Sequence, residues 1–167
     1  LLNVRERRIE ANVAYFGPSA SGKATNLRRL GTMVQHSQIG SVGKYEADTH
    51  DTLAFPFHPK ETSDRFHDCS VFVEVVSLRQ PATEERVREL LRRADGVVVV
   101  MDGQASREEE NRAALATLLR LLKGEKRAVP VVVQLNKSDL AEALPAEEML
   151  RLVGAETFPH VVAAASV

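Results

Sequence analysis

A glycine-rich segment between an apolar run and a helical pattern constrains the fold of this chain more than any other feature. Residues 17–23 read Gly-Pro-Ser-Ala-Ser-Gly-Lys and satisfy the pattern G-x-x-x-x-G-K. They directly follow a strand-like run at 12–16, and a helix is predicted from about Gly22 to Val34. Backbone N–H groups of such a loop curl around phosphate oxygens, and a helix N-terminus favours an anion. The pattern indicates a phosphate-binding loop, with a glycine-containing turn and a chance lysine as the alternative.

The residues expected to contact phosphate form the loop and the first turn of the helix. Lys23 supplies a point charge for the terminal phosphates. The pattern normally continues with Ser or Thr, whose hydroxyl binds Mg²⁺, but Ala24 stands there and offers no ligand atom. Thr25 lies about 100° further round the helix and is expected to face the first phosphate. We therefore assign no metal ligand, expect weak or absent Mg²⁺ binding, and predict as phosphate contacts Gly17, Ser19, Ala20, Ser21, Gly22, Lys23, Ala24 and Thr25.

Apolar runs alternate with helical patterns along the rest of the chain, which is typical of an α/β domain with a mainly parallel sheet. The four valines at 97–100 indicate a strand buried on both faces. Pro56 interrupts the second strand, so we expect that strand at the sheet edge. Ser106 and Glu109 are predicted to form a capping box on a later helix. Further strands are predicted at 52–57, 70–76, 130–135 and 158–163, further helices at 84–93, 106–124 and from 145, and an irregular stretch at 36–51.

These elements predict a three-layer P-loop NTPase fold. We expect a six-stranded, mainly parallel sheet with one antiparallel edge strand, formed by residues 1–167 as a single domain. The chain begins without Met and stops directly after the last predicted strand, so both ends are expected to be trimmed and a final helix to be missing.

Composition narrows the classes of function. The formal net charge is -1, which gives no reason to propose a nucleic-acid or membrane partner. No run of about 18 apolar residues exists to span a membrane. Cys69 is the single cysteine, which rules out an intramolecular disulfide and fits a cytoplasmic protein. The five histidines show no metal-ligand spacing.

A polar tetrad, Asn136-Lys137-Ser138-Asp139, directly follows the strand predicted at 130–135. The Asp139 carboxylate can accept two hydrogen bonds from the N1–H and exocyclic amine of guanine, a pair of donors that adenine lacks. Asn136 is predicted to tie this segment to the phosphate loop, and the stem of Lys137 to cover the base. The tetrad alone also fits a solvated turn, but its position behind a buried strand favours a guanine-reading loop.

Together these motifs resemble the Ras superfamily, and within it the MglA-type GTPases of bacterial motility and polarity. The resemblance covers almost the whole chain. It implies a Ras-like fold, GDP or GTP as the ligand, and a regulatory partner of the roadblock/longin type or another polarity or motility protein. The segments that carry it are residues 17–27, 51–57, 95–98, 134–140 and 145–149.

The segment expected to sense the third phosphate departs from the family's pattern. Counted back from Asp95 without a gap, Val76 stands at the position of the metal-side aspartate. Arg79 stands where a glycine would meet the third phosphate, and Gln80 at the place of the water-orienting glutamine. Arg79 fits a solvated loop arginine, with an internal positive finger as the alternative.

Two further positions are assigned by the resemblance. Thr52 is the best match for the switch I threonine and fits a β-branched strand residue equally well. Gln80 and Thr52 are therefore the candidate catalytic residues. The base-contacting motif of the last strand appears only as three alanines at 163–165, which makes Ala164 a candidate base contact.

Three functions fit these observations. The leading hypothesis is a guanine-nucleotide-binding scaffold or regulator in cell polarity or gliding motility, either a pseudo-GTPase or a very slow GTPase. The second is an active switch in which a partner activator completes a site containing Gln80 and Thr52. The third is an interaction module that binds no nucleotide, in which Lys23 is a relic.

Overall fold

The computed structural model describes most of the chain. The described residues are 2–3, 7–37, 40–42, 52–59, 70–78, 81–125 and 127–163, of which 2–3, 34–37, 40–42, 52–59 and 70 are described by their backbone alone. No helix within these ranges combines the length and the apolar character that crossing a membrane requires.

The described residues form strands and helices that alternate along the chain. The strands are β1 (Leu2–Asn3), β2 (Arg8–Phe16), β3 (Gly40–Val42), β4 (Thr52–Pro59), β5 (Ser70–Leu78), β6 (Gly96–Asp102), β7 (Val131–Asn136) and β8 (His160–Val162). The helices are α1 (Lys23–Ser37), α2 (Glu84–Arg93), α3 (Glu108–Lys123) and α4 (Ala146–Val153). A short 3-10 turn, Ala105–Arg107, precedes α3.

One sheet contains all the strands in the order β3-β4-β5-β2-β6-β7-β8, with β1 paired to the start of β2. The pairs from β5 through β2, β6 and β7 to β8 are parallel, and β4 is antiparallel to β5. Because the chain enters the β2–α1 and β7–α4 connections from the carboxyl ends of parallel strands, both predicted loops lie along the same edge of the sheet.

Helices cover both faces of the sheet. On one face Leu27 of α1 packs with Val75 of β5, and Val13 and Tyr15 of β2 complete this cluster. On the other face α2, α3 and α4 pack against the sheet in a larger aliphatic cluster that includes Ala14 and Phe16 of β2. The α/β fold with a mainly parallel sheet, predicted from the alternating pattern, is therefore confirmed.

Two details of the predicted sheet are wrong. The six predicted strands are all formed, but the short strands β1 and β3 extend the sheet to eight. The antiparallel strand is not the edge, because β3 pairs with β4, and residues 40–42 thus form a strand inside the predicted irregular stretch. β3 pairs with β4 at Phe57, His58 and Pro59, and Pro56 lies opposite Glu74 of β5. A proline lacks an N–H to donate to a strand ladder.

The predicted capping box on α3 is also wrong. The helix begins at Glu108 after the 3-10 turn, and no side chain forms a hydrogen bond to its first turn as a cap. The preceding backbone is instead held from outside, because Ala105 N–H donates to the Glu142 carbonyl at 3.0 Å and Gln104 forms a β-bridge with Ala143. Those tertiary contacts override the local capping signal of Ser106 and Glu109.

Candidate nucleotide-binding site

Two glycines of the phosphate loop adopt conformations and contacts that other residues cannot share. Gly17 has a φ of +144°, and a Cβ there would lie 2.1 Å from the carbonyl oxygen of Val100 in β6. Gly22 has a φ of +97°, and a Cβ there would lie 2.2 Å from Nδ2 of Asn136. The loop is thus pressed against the carboxyl ends of β6 and β7, where the motif requires glycine at both ends.

The side chain of Lys23 folds back over the loop. Its ammonium group donates to the carbonyl oxygens of Gly17 at 2.9 Å and Pro18 at 2.5 Å. Ser21 Oγ lies 3.5 Å from the same ammonium as a third, longer contact, so all three of its donors have an acceptor in the loop. The side chain is buried, and burial lowers the pKa of Lys23 to about 8. A desolvated cation at a helix N-terminus favours an anionic ligand.

Asn136 joins the two predicted loops across 115 residues of sequence. Its Nδ2 donates to the carbonyl oxygen of Ser21 at 2.9 Å, and both residues are buried. Its Oδ1 is buried and has no hydrogen-bond partner among the described residues. On the other side, Gly103 N–H donates to the Asn136 carbonyl at 2.8 Å. The predicted tie between the tetrad and the phosphate loop is therefore present.

The rest of the tetrad is held from two directions. Lys137 adopts a φ of 62°, and its Nζ forms an ion pair with Oδ2 of Asp102 at 2.6 Å. Because this contact anchors the ammonium group, the methylene stem is the part of Lys137 left to cover a base. The N–H and Oγ of Ser138 both donate to the Ala163 carbonyl, at 3.0 and 2.8 Å. Asp139 is exposed at the rim of this loop.

Asp102 is a residue of the candidate site that the sequence patterns missed. Its carboxylate is 1% exposed and accepts from Gln104 N–H at 3.2 Å as well as from Lys137. Asn111 of α3, also buried, binds the Asp102 backbone twice, accepting from its N–H and donating to its carbonyl. A signal existed, since Asp102 ends a buried parallel strand next to the strand that carries the tetrad.

A comparison with curated proteins gives a match along nearly the whole chain. The chain is 30% identical over 174 residues to the Mutual gliding-motility protein MglA of Myxococcus xanthus (strain DK1622), covering 98% of this chain and 86% of that protein. The chain belongs to the MglA-type branch of the Ras-like small GTPases. No protein-family model matches it.

The two positions that would supply metal ligands in this family, Ala24 and Val76, lie on opposite faces of the sheet. Ala24 packs on the α1 face of the sheet, beside the cluster of Leu27 and Val75. Val76, to which the ungapped count assigned the metal-side position, lines a cavity of about 290 Å³ between α2 and the sheet. Successive strand residues face opposite sides, so the neighbouring Ser77, 3% exposed, is the residue on the α1 face. The ungapped count from Asp95 therefore assigned the metal-side position to Val76, one residue before Ser77, which is the residue on the face that α1 covers.

The donor set near the phosphate loop does not fit a conventional Mg²⁺ site. Ala24 carries no oxygen, and Ser77 offers one hydroxyl, 3.4 Å from the carbonyl oxygen of Leu78. Within the described ranges no three His, Cys, Asp or Glu side chains are grouped closely enough to hold a metal ion.

The remaining MglA-type positions are described in part or not at all. Thr52 begins β4 and pairs with Leu78 through the backbone, which puts the start of β4 beside the end of β5. Arg79, Gln80 and Ala164 lie outside the described residues. Thr25 is exposed on the first turn of α1, as are Ser19 and Ala20 in the loop.

Proposed function

We propose that this chain, as a single MglA-type G domain over residues 1–167, binds guanine nucleotide and acts in the cytoplasm as a scaffold or regulator of bacterial cell polarity or gliding motility. The observation that carries the proposal is the hydrogen bond from Asn136 to Ser21, because it fixes a base-reading loop against a phosphate loop. A phosphate chain and a purine can then be held by two rigidly joined segments, which lowers the ordering cost of binding.

Each part of the nucleotide has residues of suitable chemistry. Backbone N–H groups of residues 17–25 and the ammonium of Lys23 suit the phosphates, while the Asp139 carboxylate suits the donor edge of guanine. Lys137 would cover the base beside Asn136, and Ala164 stays a base contact proposed from the sequence alone. Asp139 is exposed at the rim of the same site.

We further propose that the bound nucleotide is hydrolysed very slowly or not at all. Phosphoryl transfer in this class depends on positioning and on neutralising the charge of the phosphates. Ala24 supplies no metal ligand, and Ser77 supplies a neutral hydroxyl on the α1 face. A metal ion would therefore contribute little to holding GDP or GTP in this site.

The first test identifies the ligand directly. We expect protein purified without added nucleotide to release GDP or GTP on denaturation, as read by mass spectrometry. Nucleotide-free protein should bind GDP in calorimetry at least 100-fold more tightly than ADP, with less than about a threefold change when EDTA replaces Mg²⁺. Equal affinity for GDP and ADP would refute the role of Asp139, and no binding of either would favour the nucleotide-free interaction module.

A single-turnover assay separates the scaffold from the active switch. We expect no release of phosphate from bound GTP over hours, alone or with candidate roadblock/longin-type partners added. Release that rises with one of these partners would establish the alternative, in which Gln80 and Thr52 complete a catalytic site on docking.

The pKa of Lys23 predicts how nucleotide binding depends on pH. A bound diphosphate raises this pKa, so binding takes up a proton wherever the free protein has lost it, above about pH 8. We expect calorimetry in buffers of different ionisation enthalpy to show almost no proton uptake at pH 7 and at least half a proton at pH 8.5, with affinity falling as pH rises. The nucleotide's own phosphate ionises near pH 6 and does not contribute to that rise. Uptake that is equal at the two pH values would contradict the prediction.

A further inference from the structure

Arg107 reaches the phosphate loop from outside the two loops already described. It is the last residue of the 3-10 turn before α3, and one of its Nη atoms donates to the carbonyl oxygen of Ser19 at 2.8 Å. The other Nη forms an ion pair with Glu110 at 2.9 Å, and the Arg107 side chain is 28% exposed. A guanidinium held by a carboxylate on its own helix is thus aimed at one backbone carbonyl of the loop.

The position of Arg107 at the start of α3 does not serve to cap the helix. Arg107 stands at the N-cap of α3 and caps nothing with its side chain. A cation at a helix N-terminus opposes the helix dipole. The acidic residues Glu108, Glu109 and Glu110 follow it and offset that cost locally. Within α3 the charge of Arg107 forms the ion pair with Glu110, and its other Nη is directed at the loop.

The carbonyl that Arg107 holds belongs to the peptide joining Ser19 and Ala20. In a trans peptide the C=O and the N–H point in opposite directions, so fixing the Ser19 carbonyl toward Arg107 fixes the Ala20 N–H away from it. Ala20 has a φ of 60°, in the left-handed region that costs a residue with a Cβ about 1–2 kcal/mol. The loop's own turn bond, from Ser21 N–H to the Pro18 carbonyl, is long at 3.5 Å, and the bond from Arg107 adds an external restraint on this peptide.

We propose that Arg107 is a positioning residue for diphosphate binding, which holds the Ser19–Ala20 peptide so that the Ala20 N–H is available to a phosphate oxygen. The inference rests on the proposed function, and it adds a third segment to the site. The segment from the end of β6 to the start of α3 contacts the Asn136–Asp139 tetrad through Asp102 and Gly103. The same segment contacts the phosphate loop through Arg107. One connection thus holds both halves of the nucleotide site at a set separation.

The test compares Arg107→Gln with Arg112→Gln. Arg112 lies further along α3, pairs with Glu108 and donates to the Leu152 carbonyl, and has no bond to the loop. We expect Arg107→Gln to speed the dissociation of a fluorescent GDP at least tenfold and to weaken GDP more than GMP, because the second phosphate is the group the loop holds. Arg112→Gln should leave both values within about twofold, and Arg107→Lys should recover part of the loss, since an ammonium can still donate to Ser19.

Hydrogen exchange in the nucleotide-free protein provides a measurement that does not need binding. We expect the peptide spanning residues 17–23 to exchange faster in Arg107→Gln than in the wild type, with no change in Arg112→Gln. Wild-type exchange of this peptide and wild-type GDP dissociation in Arg107→Gln would overturn the inference while leaving the proposed function intact. A wild-type protein that binds no guanine nucleotide would instead refute the proposed function, and the exchange result would then decide whether Arg107 still orders the loop.

Discussion

Replacing Lys23 with methionine is expected to weaken GDP binding at least tenfold while leaving the protein folded. The ammonium is the buried cation of the loop, and each charge-assisted hydrogen bond lost to phosphate costs about 1.5–3 kcal/mol. Loss of one such bond therefore corresponds to roughly 10- to 150-fold in the dissociation constant. Calorimetry with GDP and the variant gives the number directly.

The stability of the same variant should change little, because two contributions oppose each other. Methionine removes a cation whose pKa burial lowers to about 8, which relieves a desolvation cost of about 3 kcal/mol at pH 7. It also removes the hydrogen bonds to the Gly17 and Pro18 carbonyls, which are worth a similar amount. Lys123→Met, at the exposed end of α3, is the matched control and should bind GDP like the wild type. A Lys23→Met protein with wild-type affinity would exclude Lys23 from the site.

Replacing Gly17 with alanine is expected to destabilise the protein by at least about 3 kcal/mol, measured by urea denaturation. The new Cβ would lie 2.1 Å from the Val100 carbonyl oxygen. Val100 is fully buried in the central strand β6, so its backbone cannot move away without disturbing the neighbouring strands. The positive φ of Gly17 adds backbone strain to this collision.

Gly154→Ala separates the collision from the strain. Gly154 also has a positive φ, +74°, but a Cβ there meets nothing within 4 Å. We therefore expect Gly154→Ala to cost about 1 kcal/mol, the penalty for the backbone conformation alone. Gly17→Ala protein with the same denaturation midpoint as Gly154→Ala would show that the approach of the loop to β6 is not tight.

Much of the fold follows from local patterns in the sequence. Three of the four valines of β6 are buried and Val98 is half-buried, as the apolar run predicted. Helix α2 spans the predicted residues, because hydrophobic periodicity reports burial directly. The strand-loop-helix context of the phosphate motif and the polar tetrad behind β7 also predicted that two distant loops meet. Asn136 bonds Ser21 because both strands end at the same edge of one sheet.

What the sequence did not predict depends on contacts between elements. The short strand β3 forms by pairing with the residues of β4 that follow Pro56. The role of Asp102 depends on the pairing of β6 with β7, which sets it opposite Asn136. Ser77, and not Val76, faces α1, because successive residues of a strand point to opposite faces of the sheet. An ungapped count along the sequence cannot fix that register. The contact of Arg107 with the phosphate loop was not predicted, because in the sequence it is only a cation that precedes three glutamates.

The tie between Asn136 and Ser21 also orders events during synthesis. The glycine loop leaves the ribosome early, but the amide that braces it belongs to a strand made more than a hundred residues later. Ribosomes add roughly 5–20 residues per second, so Asn136 is added several seconds or more after the phosphate loop. A nascent chain is therefore expected to be unable to capture nucleotide until β7 has joined the sheet, which makes ligand capture a late checkpoint of folding.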